Sequence, residues 1–373
     1  MKTKNTLLVL SFLLVISLFL ANFLLSSETP KRDDPPDFYV GIDVAYDDTE
    51  TIKSLIDEVS PYTNLFLLGS TGISENSTKL NELCEYLYER NMYFIIYGED
   101  PTYLHLLEEV QSKWGDRFLG LEYEDEPAGI QLDIGRWRPV EEAANYSDAA
   151  NQFVETWNTW LNLQFIPNDP LPSDFHLFTA DYSLYWFDYE AGFDVVMAEF
   201  GWNYSSRLNM ALCRGAATVQ NKDWGAMMTW TYDNPPYLGS GVQLYEYLVT
   251  AYDGGAKYAL VFDTNEDYTG GTLQQEHLDA LKQFWQYMQA NPRKYIPTNE
   301  RVAYVLPEDY GYGFRGPNDK IWGLWEAGEF EFDVTMNLSY WMGKYARGLD
   351  IIYEDGLASN ATYREYIFWN STA

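Results

Sequence analysis

The feature that most constrains the fold of this chain is a regular alternation of short apolar runs with helix-like segments between residues 38 and 290. An apolar run of about four to eight residues predicts a buried strand, and an apolar period of about 3.6 residues predicts a helix packed against it. The predicted strands are 38–44, 64–69, 92–97, 118–124, 176–181, 195–200, 224–232 and 258–263. The predicted helices are 49–59, 78–90, 103–114, 143–163, 184–189, 205–220, 242–253 and 273–290. Eight strand–helix units in about 250 residues predict an α/β protein with a (β/α)8 TIM barrel.

A second, shorter α/β pattern follows the barrel. Its candidate elements, in chain order, are a strand at 301–306, a helix at 334–347, and strands at 349–353 and 366–369. This order predicts the front of a flavodoxin-like unit with too few strands for a complete sheet. Either the unit packs as a partial domain or the natural chain is longer. The predicted domains are therefore the barrel, 38–291, and a partial flavodoxin-like domain, 292–373.

The N-terminus has the pattern of a membrane-targeting segment. Lys2 and Lys4 precede an apolar run at 7–25, and 19 residues of helix span about 28 Å, close to the hydrocarbon thickness of a bilayer. We expect residues 1–27 to be an uncleaved transmembrane anchor or a cleaved signal peptide, followed by a linker at 28–37. The N-terminal positive charge places the rest of the chain outside the cytoplasm. Six N-glycosylation motifs are compatible with export, at Asn76, Asn145, Asn203, Asn337, Asn360 and Asn370.

Charge and composition exclude several classes of protein. Lys and Arg total 24 against 56 Asp and Glu, which gives a formal net charge of −32. This charge repels phosphate backbones, so nucleic acid is not an expected partner. An apolar content of 46% with 17% aromatics argues against disorder. Two cysteines, Cys84 and Cys213, cannot form a disulfide scaffold, and we expect both to be buried free thiols.

Carboxylates stand at the predicted C-terminal ends of most strands, where barrel enzymes carry their active sites. These acids are Asp43, Glu99, Glu122, Glu124, Glu126, Asp181, Glu199, Asp233 and Asp263. Because strand side chains alternate, we expect Glu122, Glu124 and Glu126 on one inward face and Asp125 on the other. Carboxylates this close repel one another unless a pKa is raised, and a raised carboxyl pKa is what a general acid requires. Glu199 ends another buried strand beside aromatic residues.

Aromatic side chains at the same strand ends complete the pattern of a sugar site. They are Tyr46, Tyr97, Trp202, Trp230 and Tyr232. Paired carboxylates are the minimum apparatus for cleaving a glycosidic bond. We expect Glu126 to act as general acid and Glu199 as nucleophile or general base, with Glu124 tuning the pKa of the acid. The expected substrate-binding residues are Asp43, Tyr97, Glu122, Asp181, Trp202, Trp230, Tyr232 and Asp233.

The segment 120–127, Gly-Leu-Glu-Tyr-Glu-Asp-Glu-Pro, resembles the fourth-strand signature of chitinase-type (β/α)8 glycoside hydrolases. In that resemblance Glu126 matches the acid that protonates the glycosidic oxygen. The preceding acids, Glu122 and Glu124, stand where that signature has Asp. The Asp-Glu-Pro end also resembles the Asn-Glu-Pro acid/base segment of the retaining clan. A barrel followed by a flavodoxin-like unit is similar to the arrangement in some β-galactosidase-type hydrolases. The resemblance implies a superfamily without assigning a family.

No cofactor or metal is expected from the sequence. Gly311, Gly313 and Gly316 match the spacing of a dinucleotide fingerprint, but Pro-Asn-Asp follows where a helix should open. The three histidines, His105, His176 and His277, lack metal-ligand spacing.

The sequence thus predicts an exported or membrane-anchored glycoside hydrolase with a carbohydrate substrate. The alternative is a non-catalytic cell-surface barrel that binds glycans or serves a structural role. That alternative is open because the clan's nucleophile ends strand seven, where this chain has Trp230-Thr231-Tyr232-Asp233 and no Glu.

Overall fold

The barrel predicted from the sequence is confirmed. The structure is a computed structural model that describes residues 36–98, 104–115, 117–133, 137–165, 175–231, 238–316 and 318–371. Among these residues eight parallel strands pair in chain order, and the eighth pairs with the first to close the barrel. The strands are β1 Tyr39–Val44, β2 Leu65–Leu68, β3 Tyr93–Tyr97, β4 Phe118–Glu122, β5 His176–Asp181, β6 Val195–Phe200, β7 Asp223–Met228 and β8 Tyr258–Phe262.

Helices follow the strands, and four of those of the barrel begin with a side-chain cap, from Asp48, Asn76, Ser205 and Ser240. Those of the barrel are α1 Thr49–Val59, α2 Thr71–Ser74, α3 Ser77–Glu89, α4 Leu104–Trp114, α5 Pro127–Leu132, α6 Tyr146–Phe165, α7 Tyr185–Ala191, α8 Ser206–Gln220, α9 Gly241–Gly254 and α10 Gln275–Ala290. Asp48 caps α1 by accepting a hydrogen bond from the backbone N–H of Thr51 at 2.8 Å. Asn76 caps α3, because its side-chain oxygen accepts from the backbone N–H groups of Thr78 and Lys79, both at 3.2 Å.

The inside of the barrel is apolar at its N-terminal end and acidic at its C-terminal end. Alternate residues of each strand point inward, so Tyr39 on β1 is buried in the inner cluster, as are Val195 and Met197 on β6. The same alternation brings Asp43 and Glu199 to the inward positions at the ends of β1 and β6. These acids lie above the packed interior, at the mouth where barrel chemistry occurs.

Strand β4 also brings an acid to the mouth of the barrel, and it does so through a β-bulge. Its pairing with β3 shifts register between Phe94 and Ile95, which pair with Phe118 and Gly120. Gly120 has a φ of +146°, and a side chain there would place its Cβ 2.0 Å from the carbonyl oxygen of His176. A glycine is therefore required at this position. The bulge lets Glu122, the last residue of β4, join the cleft acids.

A separate three-stranded sheet follows the barrel. Its strands are β9 Val302–Leu306, β10 Leu349–Tyr353 and β11 Glu365–Phe368, all parallel, in the order β10-β9-β11. Helix α11, Glu329–Tyr345, connects β9 to β10. Residues Phe38–Ala373 form one compact unit. The flavodoxin-like character of this part and the boundary near residue 291 remain predictions.

The N-terminal anchor also remains a prediction. The apolar run at 7–25 and the linker up to residue 35 lie outside the described residues. Within the described part of the chain, no helix is both long and apolar enough to cross a bilayer.

Both cysteines are free and buried, as predicted. Cys84 lies on α3 and Cys213 on α8. Burial raises the pKa of both thiols, which keeps them protonated and poorly reactive.

Candidate active site

A cleft of about 490 Å³ opens at the C-terminal mouth of the barrel. Six acids line it: Asp43, Glu122, Glu124, Asp125, Glu126 and Glu199. Five aromatic residues line it as well: Tyr97, Trp202, Trp230, Phe262 and Tyr268. Acids and rings therefore share one concave surface whose volume is typical of small-molecule sites.

The cleft brings together most of the residues predicted for the site. Eight of the predicted residues line it: Asp43, Tyr97, Glu122, Glu124, Glu126, Glu199, Trp202 and Trp230. Tyr232 and Asp233 lie outside the described residues. Asp181 is buried elsewhere, and Tyr46 is buried with its hydroxyl bonded to Asp263.

Glu124 and Glu126 reach the cleft by a route that strand alternation did not predict. Strand β4 ends at Glu122, and both later glutamates have a φ of 55°, in the left-handed region. The chain therefore turns sharply there, and Asp125, expected to face away, lines the cleft too. Left-handed backbone in residues with side chains is costly and clusters at functional sites. Trp202, also in the cleft, shares this conformation.

Strand β5 holds this strained segment in place. The backbone N–H of Glu126 donates to the carbonyl of Ala180 at 3.0 Å. The Thr179 hydroxyl donates to the carbonyl of Glu124 at 2.8 Å. Asp181 accepts from the backbone N–H of Ala128 at 2.6 Å, at the start of α5. The structure thus places Asp181 as a support of the segment that carries the glutamates.

Glu199 is the most constrained acid of the cleft. Its side chain is buried, and the indole N–H of Trp202 donates a hydrogen bond to Glu199 Oε2. Its backbone carbonyl accepts from Asn209 Nδ2 at 2.9 Å. Burial raises the pKa of Glu199 well above its usual range, the charges of Glu126 and Asp125 raise it further, and the Trp202 bond lowers it. The carboxyls of Glu126 and Glu199 are therefore electrostatically coupled across the cleft.

Glu122 and Asp43 form another pair of cleft acids, and both of these are buried. They are 3% and 4% exposed. Burial raises the pKa of Glu122, and the charges of Asp43 and Asp125 add to it. Burial likewise raises the pKa of Asp43, with contributions from Asp125 and Asp263. Each carboxyl therefore favours its protonated form more strongly than a surface acid does.

Some cleft residues were not singled out from the sequence. Tyr268 lies in the loop after β8, is 54% exposed and has a φ of 56°. In the sequence, Tyr268 is a lone aromatic residue in the polar, Gly-rich stretch 265–271, and this pattern indicates a ligand-binding residue only weakly. In the described part of the chain, no three His, Cys, Asp or Glu side chains are grouped so that they could hold a metal ion.

Replacing Glu122 by Gln should stabilise the protein at neutral pH. The folded-state pKa of Glu122 lies above the unfolded value of ~4.3, so the folded protein binds more protons, and the free energy of unfolding falls as pH rises through this window. Glu122→Gln removes that loss, so the variant should gain stability relative to wild type as pH rises. Chemical denaturation across this pH range should show a shallower slope for the variant. The exposed control Glu246→Gln should keep the wild-type slope. Parallel curves for Glu122→Gln and wild type would contradict the expectation.

No family model matches the sequence, and no curated protein matches it. Solved structures with a similar fold include the β-1,4-D-mannanase from Cryptopygus antarcticus, at 13% identity and a TM-score of 0.40, covering 66% of this chain and 90% of that chain. They also include fungal β-1,4-galactanases, at 12% identity and a TM-score of 0.41, covering 66% and 99%. The D-psicose 3-epimerase from Clostridium cellulolyticum H10 is similar at 7% identity and a TM-score of 0.38, covering 69% and 100%. The neighbours thus include glycoside hydrolases and an enzyme of another class.

Proposed function

We propose that this protein is a glycoside hydrolase that cleaves O-glycosidic bonds with the carboxyls of Glu126 and Glu199. The observation that supports this most is their electrostatic coupling at the mouth of the barrel, where the Glu126 charge is the largest charge effect on the pKa of Glu199. Two carboxyls on either side of a bound sugar supply the acid and the base or nucleophile of this reaction. The proposed location, outside the cytoplasm and attached through residues 7–25, depends on the sequence alone.

In this proposal Glu199 is the proton donor. A coupled pair of carboxyls shares one proton, and the more buried partner retains it. Glu199 is buried, whereas Glu126 is half-buried, so the proton resides on Glu199 and the charge on Glu126. Because Trp202 donates to Oε2, the proton is carried by Oε1. Glu126 then serves as general base or nucleophile, which reverses the roles implied by the sequence resemblance.

The aromatic residues would hold the sugar between these carboxyls. Trp202 and Trp230 have ring centroids 6.1 Å apart at 75°, and Trp230 and Tyr268 have centroids 6.2 Å apart at 66°. Inclined rings offer flat faces in more than one direction, which suits the apolar faces of successive sugar units. Trp230 is fixed by its indole N–H, which donates to the carbonyl of Thr264 at 2.8 Å.

A screen of the full-length protein against a glycan library tests the proposal. We expect release of reducing ends from at least one glycan, and Glu126→Gln should lower that turnover roughly 10²- to 10⁴-fold. The variant Glu246→Gln, which makes the same change on the outer face of α9, should retain wild-type turnover. Full turnover by Glu126→Gln would refute the assignment.

A glycan-binding barrel without catalysis is the second candidate. The observation that favours it is the end of β7, where Met227, Thr229 and Trp230 line the cleft and the sequence continues Thr231-Tyr232-Asp233, without a Glu. This candidate predicts saturable glycan binding with no bond cleavage. In that case Glu126→Gln would alter affinity alone.

A further inference from the structure

We infer that the substrate of this cleft carries positive charge, and that it is an oligosaccharide with free amino groups. This inference rests on the proposed function for the sugar part of the ligand. It adds the chemical class of that sugar, which the acid pair alone does not determine.

The first argument is the charge of the cleft. Six carboxyls line it, and none of its described lining residues is Lys, Arg or His. By contrast, one buried acid outside the cleft, Asp350, contacts both Arg214 and Arg301. A cleft lined in this way concentrates cations and repels anions.

The second argument concerns two oxygen atoms deep in the cleft. Asp43 Oδ1 and Glu122 Oε1 are buried and accept no hydrogen bond from any residue that the structure describes. Gly69 keeps the space beside Asp43 open, since a Cβ at that position would lie 2.4 Å from Asp43 Oδ1. Burying a hydrogen-bond acceptor without a donor costs free energy. A ligand that donates a hydrogen bond to this acceptor recovers that free energy on binding. An ammonium group offers three donors and the opposite charge.

The third argument separates an amino sugar from a metal ion. Aromatic rings face the same cleft, and Trp230 lies beside both Trp202 and Tyr268. An ammonium on a carbon skeleton uses both surfaces, because the skeleton packs on the rings while the cation contacts ring faces and carboxylates. A bare metal ion would use the oxygen atoms alone.

Proton linkage gives this inference a distinctive signature. The titratable groups of the cleft come from several elements. The acids are Asp43 on β1, Glu122, Glu124, Asp125 and Glu126 on β4 and the loop after it, Glu199 on β6, and Asp263 after β8. The hydroxyls of Tyr46, Tyr97 and Tyr268 lie nearby. Burial and mutual repulsion raise the pKa of Asp43 and of Glu122. A bound ammonium lowers these pKa values, so its binding releases protons. A neutral sugar has no such effect.

Calorimetry with the full-length protein tests the inference. The probes are tetramers of glucosamine and of galactosamine, each beside its N-acetylated counterpart, in two buffers of different ionisation enthalpy. We expect an amino tetramer to bind at least about tenfold more tightly than its acetylated form, with proton release and with weakening by salt. Asp43→Asn should reduce this preference roughly 10- to 100-fold, whereas Glu246→Gln should leave it unchanged.

The outcomes separate this inference from the proposed function. Equal or better binding of the acetylated tetramers, or binding without proton release, would overturn the inference while leaving hydrolysis of neutral glycans possible. Stoichiometric binding of Ca²⁺ or Mg²⁺ that Asp43→Asn abolishes, with no preference for amino tetramers, would also overturn it. Tight, proton-linked binding of an amino tetramer without cleavage would support the inference and count against the hydrolase.

Discussion

Glu199→Gln should lower kcat/KM on a substrate with a sugar leaving group by roughly 10²- to 10⁴-fold, because glutamine cannot protonate the departing oxygen. The same variant should lose less than about tenfold in kcat/KM on a nitrophenyl glycoside, whose leaving group departs without a proton. The physical basis is the burial of Glu199, which keeps its proton on the enzyme until the bond breaks. Steady-state kinetics on matched pairs of substrates measures both losses.

Glu126→Gln is the matched comparison for this prediction. A base or nucleophile is needed whatever the leaving group, so this variant should lose activity on both substrates. If Glu126→Gln were instead the variant rescued by the nitrophenyl group, Glu126 would be the acid, as the sequence resemblance implies. If Glu199→Gln retained full activity on the sugar-leaving substrate, Glu199 would have no catalytic role.

The pH dependence of the activity also tests the assignment of Glu199 as proton donor. Only protonated Glu199 can donate, so kcat/KM on the sugar-leaving substrate should fall as pH rises through its pKa in the free enzyme. Because that pKa is raised, the alkaline limb should lie well above the ordinary carboxyl range near pH ~4.3. A limb within that ordinary range would contradict the proposed role.

The barrel could be predicted because its strands and helices follow from the spacing of apolar residues in the sequence. Parallel barrel strands are buried on both faces and read as apolar runs, as in β6, whose six residues are all buried. The bounds of β5 and β6 agree with the prediction residue for residue. The bulge in β4 did not follow from the pattern, because Gly120 is as compatible with a regular strand as with a bulge.

The site was predictable in content but not in geometry. Asp43 and Glu199 end strands, so alternation was enough to place them in the cleft. Glu124 and Glu126 lie beyond the end of β4, and their left-handed backbone depends on bonds from β5, which no local pattern reveals. Asp181 is the last residue of β5, and because Phe178 and Ala180 belong to the inner cluster, alternation turns it outward, where its carboxylate accepts from the backbone of α5. Strand ends predict acids at the rim without saying which of them reach the ligand.

A buried charge cluster between α8 and the three-stranded sheet is expected to dominate the stability of this part of the molecule. Asp350, on β10, is fully buried and contacts Arg214 Nε at 2.7 Å and Arg301 Nη1 at 2.6 Å. Arg214 lies on α8 and also donates to the backbone carbonyls of Gly254 and Leu349. One carboxylate therefore bridges two guanidiniums, one from α8 of the barrel and one from the residue that precedes β9 of the sheet.

Asp350→Asn should destabilise the protein by about 3–5 kcal/mol, because it leaves two buried guanidinium groups without their counterion. Denaturant unfolding of the purified protein measures the loss. Asp223→Asn is the matched control: it removes a carboxylate that contacts Lys257 at 2.6 Å, but this pair is 43% and 37% exposed, so the loss should stay below about 1 kcal/mol.

Adding Arg301→Met to Asp350→Asn should recover part of the stability, since one of the uncompensated charges is then gone. Two outcomes would contradict this role of charge in holding the sheet against the barrel. One is a loss of unfolding free energy below about 1 kcal/mol for Asp350→Asn, and the other is additive losses of unfolding free energy in the double variant.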